Sequence, residues 1–136
     1  MTILSLEGGC ACGALRYAVA GRPFHASLCH CIDCRRAMGA SPVAWFSLRP
    51  EEFRLLRGRM REFRSSAPVR RGFCADCGTG LTFRGETTPD EIDIATATLD
   101  DPAAFAPELH LWTSQALPWA LVEDGLPRCR RGRGQD

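Results

Sequence analysis

At 136 residues, with 45% hydrophobic and 24% charged side chains, the chain has the size and balance of one folded domain, which excludes a fibrous repeat, a disordered polymer and two independent cores. The formal net charge of +1 is not the balance of a strongly basic nucleic-acid binder. All seventeen basic residues are arginine, which excludes lysine Schiff-base chemistry and lysine acetylation as a control.

The first seven residues carry no basic n-region and reach Glu7 before any long apolar run, so no secretory leader is expected. No stretch approaches the roughly 18 apolar residues of a membrane span, and the expected location is cytoplasmic. Leu15, Tyr17 and Val19 alternate with Arg16 and Ala18, predicting a half-buried strand closed by Gly21-Arg22-Pro23 and followed by a second strand from Phe24 into Cys29. Over residues 32–40 the alternation stops, which predicts a helical turn ending at Gly39. Segments 43–48, 53–57, 60–64 and 69–73 are rich in branched or aromatic residues and separated by Pro50, Gly58 and Pro68. They are read as a meander. Strands are expected again at 81–83, 92–99 and 108–112, with Asp100-Asp101-Pro102 between them as a short helix start carrying an acidic N-cap and proline at N1.

Residues 49–71 hold eight arginines against three glutamates, whereas residues 85–127 hold nine acidic residues and no arginine. Pairing of the two stretches across neighbouring strands is expected in preference to a nucleic-acid groove. Arg128-Cys129-Arg130-Arg131-Gly132-Arg133 lacks apolar periodicity, so residues 128–136 are read as a basic flexible tail on a single domain of residues 1–127. Short strands punctuated by Gly and Pro predict a mainly β fold whose layers need extra fastening.

Eight cysteines supply a means of fastening. A reducing compartment disfavours disulfides and turns close-set cysteines into metal ligands or redox groups. Gly9-Cys10-Ala11-Cys12-Gly13 and Cys74-Ala75-Asp76-Cys77-Gly78 are thiol pairs followed by glycine, which lets the chain turn tightly around a bound sulfur. Together Cys10, Cys12, Cys74 and Cys77 match the closed tetrahedral set of structural Zn²⁺. Cys29-His30-Cys31-Ile32-Asp33-Cys34 offers three sulfurs from one loop, and three protein ligands with an open fourth position are the pattern of catalytic zinc. A ribbon joining Cys31 and Cys34 to Cys74 and Cys77 is the competing partition, although Cys34 lacks the following glycine. Iron–sulfur ligation and disulfides remain further alternatives. Two Zn²⁺ on seven thiolates would bring the net charge to about −2. Cys129 is read as a free thiol, His30 as a ligand or a residue orienting the loop, and His25 and His110 as structural.

With those residues laid out, the chain resembles the glutathione-dependent formaldehyde-activating enzyme family, which includes centromere-protein-V-like zinc proteins. The resemblance lies in Gly8-Gly9-Cys10-Ala11-Cys12-Gly13 with Arg16-Tyr17, in Cys29-His30-Cys31-Ile32-Asp33-Cys34-Arg35-Arg36 with Gly39-Ala40, and in Phe73-Cys74-Ala75-Asp76-Cys77-Gly78-Thr79. Later echoes are Thr98-Leu99-Asp100-Asp101-Pro102 and Pro107-Glu108-Leu109-His110-Leu111. It implies a small zinc-stapled β fold shared with B-type methionine sulfoxide reductases. It also implies the same division of the cysteines, and a carbon–sulfur lyase that forms or cleaves S-hydroxymethylglutathione or a related thiol conjugate. Cys29, Cys31 and Cys34 are then the expected site of chemistry. Arg35 and Arg36 are candidates for substrate carboxylates and Trp45 or Phe46 for an apolar wall. Asp33 is a candidate hydrogen-bond acceptor beside the cluster. The alternatives are a noncatalytic zinc module binding nucleic acid or protein, and a thiol-based redox or metal sensor.

Overall fold

Near-continuous burial along β4 (Val43–Leu48) identifies the strand around which the chain is layered. In the computed structural model, which describes residues 4–136, this strand lies inside a seven-stranded sheet of order β10-β3-β4-β9-β8-β7-β6. The other members are β3 (Phe24–Cys29), β6 (Met60–Ser66), β7 (Val69–Cys74), β8 (Gly80–Gly85), β9 (Ile92–Ala95) and β10 (Leu109–Leu111). Only β10 and β3 run parallel among these pairs of the described residues. A second antiparallel sheet of order β1-β2-β5 contains β1 (Leu4–Gly9), β2 (Arg16–Gly21) and β5 (Phe53–Arg57). The fold is mainly β, as the short alternating segments predict.

The two faces of the large sheet build two cores. Phe46, Leu48, Ile92, Ile94 and Leu81 pack with Leu15, Tyr17 and Val19, and each fully buried side chain of this size contributes about 1.5–3 kcal/mol. On the opposite face, Val43, Trp45 and Ala95 pack with Cys29 and Cys34 beneath α1 (Ile32–Met38). A helix of seven residues is too short to stand alone, so its tertiary contacts matter. Gly80 permits one of them: a Cβ there would come within 2.5 Å of Met38 Sδ.

The expected meander breaks after β4. Pro50 starts a short 3₁₀ turn, Pro50–Glu52, and the Glu52 carboxylate accepts from the backbone N–H groups of Arg49 (3.1 Å) and Arg22 (3.3 Å). The chain thereby crosses to the small sheet, where β5 pairs with β2, while β9 takes the place beside β4. The strand expected over 92–99 ends at Ala95 because Thr98 Oγ1 donates to the Ala95 carbonyl, 2.7 Å, and the chain enters a 3₁₀ turn at Thr96–Thr98. Helix formation after Asp100-Asp101 is confined to the 3₁₀ turn Pro102–Phe105, with no side-chain cap from Asp101. Asp100 instead receives two hydrogen bonds from the Arg16 guanidinium.

The segment expected as a basic tail runs beside β10. Cys129 N–H donates to the His110 carbonyl (2.8 Å), and the N–H groups of Trp112 and Ser114 donate to Arg131 and Arg130. Those backbone bonds attach residues 128–131 to the sheet despite their lack of apolar periodicity. Of the expected pairing between the two charged stretches, the described residues show one ion pair, Arg64 with Glu86 at 2.9 Å. It joins β6 to the turn after β8, with β7 between them, and it is exposed and of small energetic weight. No helix among the described residues is long and apolar enough to cross a membrane.

Candidate metal centres

The four sulfurs of Cys10, Cys12, Cys74 and Cys77 lie within 4.8 Å of one another. The sulfurs of Cys10 and Cys12 are 3.5 Å apart and those of Cys12 and Cys74 4.0 Å. A tetrahedral ion with metal–sulfur bonds near 2.3 Å holds its sulfurs about 3.8 Å apart, so the set fits such an ion. Backbone N–H groups supply the local polarity: Leu15 donates to Cys10 Sγ at 3.3 Å, and Asp76 and Cys77 donate to Cys74 Sγ at 3.4 and 3.5 Å. Gly78, with φ +81°, takes the left-handed conformation that lets its N–H close on the Cys74 carbonyl at 2.9 Å. The Thr79 hydroxyl then joins the knuckles, accepting from Ala11 N–H and meeting Cys77 Sγ, both at 3.1 Å. Hydrogen bonding from the Thr79 side chain, aided by backbone groups, pulls the Cys77 thiol down to about 5.

Cys29, Cys31 and Cys34 form a second cluster whose sulfurs also lie within 4.8 Å. Their convergence follows from local structure. Cys29 ends β3, Cys31 is the N-cap of α1, and its sulfur accepts from Cys34 N–H at 3.2 Å in the first turn. Cys29 and Cys34 are buried and Cys31 is half-buried. Hydrogen bonding from Cys29 and Cys31, with the Arg71 charge acting in the same direction, brings Cys34 down to about 2. Cys29 is pushed up by Cys31, Cys34 and burial. Three convergent sulfurs within 4.8 Å of one another form a donor set that could hold a metal ion.

His30 is fully buried. Its Nε2 faces His110 Nδ1 at 2.8 Å, and His110 Nε2 faces the Asp124 carboxylate, also at 2.8 Å. His30 Nε2 is thus engaged away from the sulfurs, and His30 is not part of the sulfur cluster. Both ring nitrogens of His110 have partners. His25 instead occupies an irregularity in β3, with φ +56°, beside Glu91 at 3.8 Å. Cys129 belongs to neither cluster.

The strongest site feature absent from the sequence reading is Arg71. It is 4% exposed, its two terminal nitrogens reach Cys34 Sγ at 3.7 and 3.6 Å, and Nε donates to Ser65 Oγ at 3.1 Å. The guanidinium also lies 4.9 Å above the Phe83 ring centre, a cation–π geometry that fixes its plane. Arg71 lines two clefts. One, of about 300 Å³, includes Trp45, Met38, Phe63 and Phe73; the other, of about 210 Å³, includes Cys31, Asp33, Ser65 and Gln115. Arg35 and Arg36 line neither cleft, and Phe46 lies in the core across the sheet.

The description "Glutathione-dependent formaldehyde-activating enzyme" belongs to a family model that matches residues 5–115, a span containing all seven clustered cysteines. The chain belongs to this family. A Halomonas elongata protein provisionally named for the same activity is 25% identical over 127 residues, covering 87% of this chain and 81% of the relative. A crystal structure of a Rhodobacter sphaeroides protein shares the fold with a TM-score of 0.60 at 23% identity, covering 90% of this chain and 99% of that one. In this member of the glutathione-dependent formaldehyde-activating enzyme family, the two cysteine groups are separate, and each could hold a metal ion.

Proposed function

We propose that the protein is a zinc-dependent carbon–sulfur lyase that forms or cleaves an adduct between a small thiol and an aldehyde, with glutathione and formaldehyde as the leading pair. The observation that carries this reading is the convergence of Cys29, Cys31 and Cys34, a three-sulfur set beside a cleft that Cys31 itself lines. Cys10, Cys12, Cys74 and Cys77 hold the structural Zn²⁺ in the same reading. Family membership and the name of the Halomonas relative support the choice of substrates.

At a three-cysteine site, Zn²⁺ supplies Lewis acidity that lowers the pKa of a thiol or polarises a carbonyl. The remaining features belong to the chain. Burial of Cys29 and Cys34 limits water around the sulfurs, and Arg71 and the Ser65 hydroxyl present polar groups at the cleft wall. In the forward reaction the thiol sulfur forms a bond to the aldehyde carbon. The carbonyl π pair moves to oxygen, which acquires the proton given up by the thiol. Cleavage reverses each movement. A cleft lined by Asp33, Ser65, Ser66, Arg71 and Gln115 offers both hydrogen-bond donors and acceptors to the polar part of a thiol conjugate.

Zinc-loaded protein with ¹³C-formaldehyde and several thiols tests the proposal by NMR exchange rates. Adduct formation and cleavage should accelerate over the uncatalysed reaction, and Cys31→Ser should remove the acceleration. No acceleration with any thiol, or equal activity in Cys31→Ser, overturns the reading.

A further inference from the structure

The second cluster gathers three thiols in a buried region, and ligation by an exogenous thiolate would add a fourth negative charge. Three thiolates and Zn²⁺ carry a net charge of −1, which a fourth thiolate takes to −2. Burying such charge without compensation is costly. In the four-cysteine cluster the same total is eased by exposed Cys12 and Cys77 and by backbone N–H donors. Around Cys34 the compensating group is a buried cation.

We infer that Arg71 is a positioning residue that, acting through Cys34, makes the three-cysteine metal centre prefer an anionic sulfur ligand over a neutral nitrogen ligand. The inference rests on the zinc reading above and goes beyond it by assigning ligand-charge selectivity to a residue outside the metal-ligand set. Three observations support a defined role for this arginine. Both terminal nitrogens converge on one ligand sulfur, and Nε is occupied by Ser65. Phe83 supports the guanidinium face. The side chain reaches both clefts while remaining 4% exposed, so its charge is weakly screened where an incoming ligand would approach. A fixed positive charge strengthens binding of an anion and leaves a neutral ligand largely unaffected.

Cobalt-substituted protein provides a direct test. Absorption bands of tetrahedral Co²⁺ report ligand exchange without requiring turnover, and the four-cysteine centre adds a constant background. Wild type, Arg71→Met, Arg71→Gln and Arg71→Lys should be titrated at one pH with 2-mercaptoethanol and, separately, with imidazole. The neutral variants should lose about tenfold or more in 2-mercaptoethanol affinity while imidazole affinity changes by less than about threefold. Lys should retain most of the preference because it retains the charge, and Gln provides a second neutral variant if Met prevents folding.

Equal losses for both ligands, unchanged preference in the neutral variants, or failure of every neutral variant to fold with cobalt bound would overturn selectivity as the role of Arg71. Failure of the underlying zinc reading has a different signature: wild type and Cys31→Ser would bind the same number of Co²⁺ ions, with no spectral response to either ligand.

Discussion

The two cysteine clusters use the same donor atom but stabilise its charge in different ways. Cys10, Cys12, Cys74 and Cys77 lie where the small sheet meets the end of β7, and backbone N–H groups from tight turns surround the sulfurs. Cys29, Cys31 and Cys34 lie at the N-terminal end of α1, where one backbone N–H, from Cys34 to Cys31 Sγ, is joined by the buried Arg71 guanidinium at Cys34 Sγ. On the proposed reading, one ligand type serves two purposes: cysteines set in backbone turns fasten distant segments, whereas those beside Arg71 meet a side-chain charge that substitution can change.

The largest expected effect tests this division through removal of one sulfur from each cluster. Cys74 is 1% exposed and contacts the main core, and a structural zinc contributes about 10–16 kcal/mol of apparent binding free energy in small zinc peptides. Cys74→Ser should abolish cooperative unfolding or lower the melting temperature by more than about 20 °C. Cys31→Ser should retain cooperative unfolding and lose about one metal equivalent, as read by circular dichroism and elemental analysis. Comparable unfolding in both variants would erase the proposed distinction.

A smaller effect is expected from the His30–His110–Asp124 chain. His110→Phe removes the partner of a fully buried imidazole nitrogen, while the other nitrogen of His30 has no hydrogen-bond partner in the structure. An unsatisfied buried polar group costs about 1–3 kcal/mol. Disturbing the residue between Cys29 and Cys31 should weaken the second metal site by about tenfold or more, the range found for groups supporting metal ligands. Chelator competition should show this loss confined to one of two metal equivalents. Equal weakening of both would place His110 in the general core instead of in support of the second cluster.

Particular residues explain how much of this comparison was legible in the sequence. Alternation around Tyr17 and Val19 identified β2, and glycine after the Cys10–Cys12 and Cys74–Cys77 pairs separated them from the Cys29–Cys34 loop. Pairing of β5 with β2 depended on the turn at Pro50 and on nonlocal contacts with Arg22, information absent from local periodicity. Arg71 resembled seven other arginines between residues 49 and 71. Its signal was the sequence Val69-Arg70-Arg71-Gly72-Phe73: β alternation places Arg71 on the same face as Val69 and Phe73, an unusual position for a charge. The link between His30 and His110 spans 80 residues and emerged only when β10 paired with β3.

The smallest expected effect concerns the dryness of the sheet face that carries the second cluster. Asp93 and Ala95 share that face, across from Ser47 and Trp45 on β4. Burial pushes the Asp93 carboxyl up to about 6, even though Ser47 Oγ donates to it at 2.7 Å; Glu91 and Cys34 also raise it. The unfolded reference lies near 3.8, so between about pH 4 and 6 the folded chain retains a proton that the unfolded chain has released. Stability from this group therefore falls as pH rises through that window, and the cost persists above it. Asp93→Asn preserves an oxygen acceptor for Ser47 and removes the charge. It should exceed wild type in stability by about 1–2 kcal/mol at pH 7, with the difference shrinking as pH falls from about 6 to about 4 and gone below it. Denaturant unfolding of both proteins across this range isolates the effect because acid release of metal is common to them. A constant difference across pH, or destabilisation by Asn at pH 7, would show that water and nearby arginine charge screen this face, weakening the electrostatic contrast between the two clusters.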